Sequence, residues 1–409
     1  MASLNSAIAN GADSVYVGLK GYNMRANVAN FSIDQISDAV KLCHNRGVKL
    51  YLCINTMLKD RDINDLKQTM PLIKASGADA VIVSDIGAVK IARENDVDIH
   101  MSVQSNITNS ESLKVLADMG VTRIILSREL SLDEIKQIAS NTEVEVEVFV
   151  HGAMCVAVSG RCFLSSYLYN KSANCGECLQ PCRKEWKIAS IDNEEFIIEN
   201  KLKDNLCADS EADTENGFNK NHSSHILSPR DLCMVEHIPE LVDAGVSVFK
   251  IEGRARPSDY VASVTKVYRE AIDDYEKGNW DSDKQKGQIE RWLNELGEVF
   301  NRGFDTGFFF KTPFETSCDN ISKFKKKDIG EVVNYYQKVC AAELKIWDDI
   351  MVGDELTIQG STTGSINLTV ESMQINGKNI DKAVKGTNVA ISLSEKVRPK
   401  DNVYKRILR

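Results

Sequence analysis

The sequence predicts an α/β fold, a TIM-like (β/α)8 barrel whose first strand is missing, followed by a small all-β barrel. Three observations lead there. Short β-branched runs alternate with amphipathic stretches at a repeat of roughly 20–30 residues through the first 250 positions, the rhythm of a parallel sheet with crossover helices. The runs are bounded by Gly and Asp turn signals, as in Asn45-Arg46-Gly47 and Ser76-Gly77-Ala78-Asp79. Beyond residue 328 the pattern changes to short alternating runs with Gly-Asp and Asn-Gly turns, which is an all-β signature.

Taken in order, strands are expected at 14–17, 49–54, 80–84, 98–103, 123–126, 144–150 and 248–251. Helices are expected at 32–45, 62–76, 85–95, 110–119, 132–139 and 235–244. Seven strands at this repeat fit a closed barrel better than a doubly wound open sheet, which is the alternative. The chain opens in a helix-like stretch, 3–10, of the kind that follows a strand, so one strand of eight is unaccounted for. After Val150 the rhythm breaks. Residues 151–185 are rich in Gly and Cys and read as a loop, and 186–188 with 195–198 read as a hairpin around Asp192-Asn193. The polar stretch 201–224 reads as an insertion. Helices at 259–277 and 284–300 and a Gly- and Phe-rich link at 303–310 complete a first domain, 1–310.

A linker, 311–328, carries the run Lys323-Phe324-Lys325-Lys326-Lys327, either a solvated connection or an electrostatic contact for RNA. The last region, 329–409, has Val352-Gly353-Asp354, Ala383-Val384-Lys385-Gly386 and Val397-Arg398-Pro399-Lys400-Asp401 in succession. In these it resembles the second-domain β-barrel of translation elongation factors, which implies a module facing RNA or a partner subunit.

With 409 residues, a net charge of −9 and a pI near 5.4, the chain is not a generally basic nucleic-acid binder, although a local basic face is compatible. No apolar run approaches the roughly 18–20 residues that span a bilayer, and Met1–Asn5 lack a basic segment leading into an apolar one. A cytoplasmic location and no membrane partner are therefore expected. Eleven cysteines then need a reason other than disulfides. Cys43 and Cys53 lie in apolar runs and read as small buried thiols.

Five cysteines crowd into 155–182, spaced C-x(6)-C-x(12)-C-x(2)-C-x(3)-C through Cys155, Cys162, Cys175, Cys178 and Cys182. The segment starts directly after a strand, at the end of the sheet where barrel chemistry occurs. Clustered thiolates suit an iron–sulfur cluster or zinc. Structural zinc favours two tight Cys pairs, and only the second group here is tight. Iron–sulfur is preferred on spacing, with zinc the alternative.

These residues carry a specific resemblance. Gly152-Ala153-Met154-Cys155, Gly160-Arg161-Cys162 and Leu164-Ser165 are similar to the signature of peptidase family U-32, the collagenase-like peptidases. The similarity extends through Gly11–Gly18, Asn23-Met24-Arg25-Ala26, Asn30-Phe31, Asn55-Thr56, Asp85, Asn106, Leu126–Leu130, Ser228–Cys233 and Phe249–Arg254. The resemblance implies a (β/α)-barrel and an oxygen-sensitive 4Fe–4S cluster. It also implies a role in hydroxylating tRNA, ribosomal RNA or a quinone precursor. By motif, Cys155, Cys162 and Cys178 are implied ligands, with Cys233 or Cys182 as the fourth. Cys175 has no counterpart. The chain departs from the family in lacking a Leu-Ala-Pro-Ala-Gly-like first strand and in carrying the 201–224 insertion.

Three functional classes follow. A peptidase needs an activated nucleophile or an open metal site, and neither His-Glu-x-x-His nor Gly-x-Ser-x-Gly is present. His151 close to Cys155 suggests a Cys–His pair, although sequence proximity does not make one. An iron–sulfur enzyme modifying RNA or a small molecule is the preferred class. Its polar residues sit at strand ends: Glu129, His151 and Glu252 as catalytic candidates, and Asn55, Asp85, Gln104 and Arg128 as substrate contacts. Asn23 and Arg25 join them from the loop after the first predicted strand. Lys250 and Arg254 flank Glu252 and are placed to receive phosphate or carboxylate, or to form structural ion pairs. The third class is a non-catalytic scaffold that binds RNA or a partner through the terminal barrel.

Overall fold

The computed structural model describes residues 1–186, 225–280, 282–313 and 315–409. All seven expected strands form. After α1 (Ala2–Ala9) come β1 (Ser14–Gly18), α2 (Ile33–His44), β2 (Lys49–Ile54), α3 (Asp60–Ser76), β3 (Ala80–Val83) and α4 (Ile86–Glu94). β4 (Ile99–Met101), α5 (Ser110–Asp118), β5 (Val121–Ile125), α6 (Leu132–Ala139) and β6 (Glu145–Ala153) continue the alternation. α7 (Leu164–Tyr169) lies in the thiol loop. β7 (Asp231–Cys233), α8 (Ile238–Asp243), β8 (Val248–Ile251), α9 (Ser258–Glu276), α10 (Ser282–Glu298) and β9 (Phe304–Asp305) complete the region.

Local signals explain where these elements begin. Ser131 and Glu134 form a reciprocal capping box on α6, Asp85 accepts from Ala88 N on α4, and Asn109 accepts from Ser112 N on α5. Strands β2 and β3 are buried along almost their whole length, as parallel strands covered on both faces must be. Leu50, Leu52 and Ile54 are fully enclosed, each worth about 1.5–3 kcal/mol in apolar burial.

The strands pair in parallel and in sequential order, β1-β2-β3-β4-β5-β6-β8. A doubly wound sheet would reverse its order, and this one does not. Short β7 pairs antiparallel with the end of β6, and β9 pairs with β7. The circle is not closed. Among the described residues β1 and β8 have no ladder between them, and an open cavity of about 990 Å³ lies in the seam. Seven sequential parallel strands are present, the number counted in the sequence, and among the described residues they do not close into a ring. The Tyr16 hydroxyl spans the seam to the Ile251 carbonyl at 3.0 Å.

The second region is antiparallel and all-β, with its own core around Ile329, Leu344, Ile358 and Val403. Its strands are β10 (Phe324–Tyr336), β11 (Ala341–Ile346), β12 (Ile350–Met351), β13 (Glu355–Gly360), β14 (Gly364–Thr369), β15 (Met373–Ile375), β16 (Lys378–Ile380), β17 (Lys382–Ala383), β18 (Asn388–Ser392) and β19 (Asn402–Leu408). The main sheet runs β14-β13-β19-β10-β11-β18-β15-β16, with β12 and β17 paired separately. Its path is open at β14 and β16 rather than closed. β10 begins at Phe324, so the lysine run is not a linker. Lys325, Lys326 and Lys327 pair with β19, Lys326 binds Asp259 at 2.8 Å, and Lys327 meets Asp348. The expected hairpin beyond Trp186 and the 201–224 insertion lie outside the described residues. No helix among the described residues is long and apolar enough to cross a membrane.

Candidate functional site at the strand ends

Polar side chains and thiols gather where β1, β2, β6 and β8 end. Asn23 is buried in the loop after β1. Its amide donates to Leu19 O at 2.6 Å, and its carbonyl oxygen accepts from Arg25 N at 2.9 Å and from the Arg254 guanidinium. Asn55, at the end of β2, accepts from Met24 N at 3.3 Å and donates to Ser102 Oγ at 3.1 Å and Gln104 Oε1 at 3.0 Å. Asn23, Arg25, Asn55, Gln104 and Arg254 are thus linked in one network across four strand ends, those of β1, β2, β4 and β8.

Glu252 lies against this network. Its carboxylate accepts from the Tyr16 hydroxyl at 3.3 Å and faces Arg25 at 3.6 Å. Burial pushes the Glu252 carboxyl up, but Arg25, Arg254, Arg128 and Lys250 together hold it below the ordinary carboxylate value. Glu252 is therefore an ionised anchor among cations. Arg128 stacks over Phe149 at 4.1 Å and donates to Ala153 O at 3.0 Å, leaving its buried Nε without a partner. Glu129 is exposed, with one oxygen taken by the Ser127 hydroxyl.

Three candidates belong elsewhere. His151 is 2% exposed and enclosed by the rings of Tyr260, Tyr268 and Phe304 at 5.5–6.0 Å. Burial, helped by Arg256, lowers its pKa to about 3. The structure places it in the core as a neutral imidazole, apart from the polar network at the strand ends. Lys250 turns inside the sheet, where its ammonium meets Glu147 at 2.5 Å and lies 4.0 Å from the Tyr16 ring centre. Its ammonium is held by that ion pair, the structural alternative that the sequence left open. Asp85 is committed to capping α4 at 3.1 Å.

The thiol loop is fastened to the strand ends by hydrogen bonds. Asn174 accepts from Cys162 N at 2.9 Å through its side chain and from Met57 N at 3.3 Å through its carbonyl. Arg183 ties the loop to Ser228 Oγ, Pro229 O and Met154 O. Asn106 donates to Ser159 O at 3.1 Å. Cys155 is exposed, while Cys162, Cys178 and Cys182 are half-buried. Burial pushes the Cys178 and Cys182 thiols up, and each also feels the charge of Cys155 and Cys162, so the four share one electrostatic neighbourhood. Arg25 lies within reach of the charges of Cys155 and Cys178. Cys233 stands apart in the core, 6% exposed and 4.0 Å from the Tyr268 hydroxyl, with burial pushing its thiol up to about 12. Among the described residues no three Cys, His, Asp or Glu side chains already converge as a metal site.

Sequence reasoning passed over Tyr16, Asn174 and Arg183. Asn174 and Arg183 sit inside the thiol segment without a motif of their own, and Tyr16 reads simply as a strand residue.

The model of peptidase family U32 matches residues 1–319. The chain belongs to this family. Among U32 relatives, an uncharacterized protease of Methanocaldococcus jannaschii is 43% identical, covering 98% of this chain and 95% of its own length. A collagenase of Porphyromonas gingivalis is 36% identical, with the same 98% and 95% coverage. The tRNA hydroxylation protein P1 of Bacillus subtilis is 28% identical, covering 98% of this chain and 92% of its own.

Proposed function

We propose that this U32 protein acts in the hydroxylation of RNA, tRNA or ribosomal RNA, and carries a 4Fe–4S cluster on Cys155, Cys162, Cys178 and Cys182. The observation that carries the reading is the grouping of these four thiols beside Arg25, Asn55 and Glu252 at the strand ends. Four soft sulfur donors on one anchored loop are chemically suited to such a cluster, which they would hold through their thiolates. When bound, the cluster supplies one-electron chemistry. Cys182 is preferred to Cys233 because Cys233 faces Tyr268 in the core. The remaining residues position the substrate. Glu252 is held ionised by its cations, Asn23 fixes Arg254, and Asn55 fixes Gln104 and the loop after β1. A peptidase reading rests on the family's name and on the names of relatives, and the enclosed His151 gives Cys155 no base.

Two measurements test this. Anaerobically purified protein is expected to be brown, with about four irons that are lost in Cys155→Ser and Cys182→Ser but kept in Cys175→Ser. A colourless zinc protein sinks the cluster. Mass spectrometry of tRNA and rRNA nucleosides from a deletion strain is expected to show a hydroxylated nucleoside missing, and unchanged RNA sinks the modification role.

A further inference from the structure

The thiol loop carries an exposed aromatic surface that the site described above does not use. Phe163 is 62% exposed, Tyr167 88% and Tyr169 39%, with Val156, Leu168 and Leu179 also open to solvent. Large apolar side chains concentrated like this on one short segment mark a contact surface rather than ordinary scatter. Cys155, on the same segment, is exposed as well. The local charge points to the kind of partner. Residues 155–186 carry four cations (Arg161, Lys171, Arg183, Lys184) against two carboxylates (Glu177, Glu185), in a chain whose net charge is −9. Lys184 lies over the Tyr169 ring at 5.1 Å with its ammonium 3.1 Å from the hydroxyl, and Lys171 and Arg161 are exposed. Aromatic faces interleaved with cations suit bases that are out of a duplex: π-faces stack on the rings and phosphates meet the cations.

The geometry points to Phe163, Tyr167 and Tyr169 as a stacking platform for unpaired RNA bases, with Arg161, Lys171 and Lys184 meeting the backbone beside the thiols. This deepens the RNA-modification reading and rests on it. The platform would deliver a single-stranded or looped segment to the strand ends. A rigid duplex would present no free base faces to it.

The test uses the full chain, purified anaerobically, and a fluorescein-labelled 12-nucleotide single-stranded RNA alongside a duplex of equal length. Anisotropy is expected to show the single strand bound at least tenfold more tightly. Phe163→Ala with Tyr167→Ala is expected to weaken single-strand binding by about 10- to 100-fold without changing iron content. Phe163→Tyr with Tyr167→Phe is expected to restore it. Lys171→Gln with Lys184→Gln is expected to lower the salt slope by about 1.4, roughly 0.7 per phosphate contact. Equal affinity for duplex, or alanine variants that bind as wild type, overturns the platform. So does a wild-type protein that sediments as a dimer while the alanine variants are monomers, since the surface then serves a protein partner. The two readings fail separately. Hydroxylation lost in Cys155→Ser but kept in the alanine variants refutes the platform alone. Unchanged RNA in the deletion strain, with binding still dependent on the aromatics, refutes the modification role alone.

Discussion

Glu252 N donates to His151 O at 2.9 Å, yet the two side chains lie in different surroundings and burial leaves one charged and the other neutral. Glu252 keeps its charge because cations surround it, whereas His151 is enclosed by aromatic rings, feels the Arg256 cation and stays neutral. His100 is neutral for the same reason, with a pKa lowered to about 3 from 6.5 by burial and then Arg123. Both imidazoles bind fewer protons folded than unfolded. Their contribution to stability is therefore complete above pH 6.5 and is lost progressively as the pH falls toward 3. Each is expected to cost about 1–2 kcal/mol between pH 6.5 and 5. Thermal melts across that range check it: His151→Phe should flatten the profile, and an unchanged slope in this variant would exclude His151 as a contributor. Residue types at strand ends were legible in the sequence, but their directions were not. Period-2 alternation does not reveal that Lys250 turns to Glu147 while Glu252 turns to Arg25.

At the scale of elements, the thiol loop owes its position to contacts with the loop after β1. Ala26 N donates to Gly176 O at 3.0 Å, and Gly176 has φ +89 with a Cβ position 2.5 Å from Asn23 O. Gly278 has a similar φ, +72, with open space around it. Gly278→Ala is expected to cost about 1–2 kcal/mol of left-handed strain only. Gly176→Ala adds a backbone clash, so it is expected to lower the melting temperature further and to speed alkylation of Cys155 and Cys178. Equal effects at the two glycines would show that the loop does not depend on this contact. Helix and strand positions in the first half were readable because capping residues and apolar periods agree there. The lysine run at 323–327 was misread because a strand rich in cations has linker composition. It is a strand only through its ladder with residues 402–408, distant in sequence.

Across the whole molecule, the two regions are joined by charge and by α1. Arg406 reaches Glu298 at 2.7 Å, Lys326 reaches Asp259 at 2.8 Å, and Asn5 donates to Ser361 O at 2.9 Å. The sequential parallel order was legible from the βα repeat, and so was the shortfall of one strand. The open seam itself was not, because periodicity counts strands without showing whether the last meets the first. A strand with one neighbour leaves alternate amides unpaired. About half the amides of β1 and β8 are therefore expected to exchange quickly in deuterium, while those of β3, paired on both sides, stay protected. Uniform protection across β1, β3 and β8 would mean that the seam is shut in solution.

The Tyr16 hydroxyl links two strands that share no ladder among the described residues. It touches both the Ile251 carbonyl at the end of β8 and the Glu252 carboxylate at the site. One side chain therefore sets the spacing of β1 from β8 and the placement of the buried anion, so a change at residue 16 moves both together.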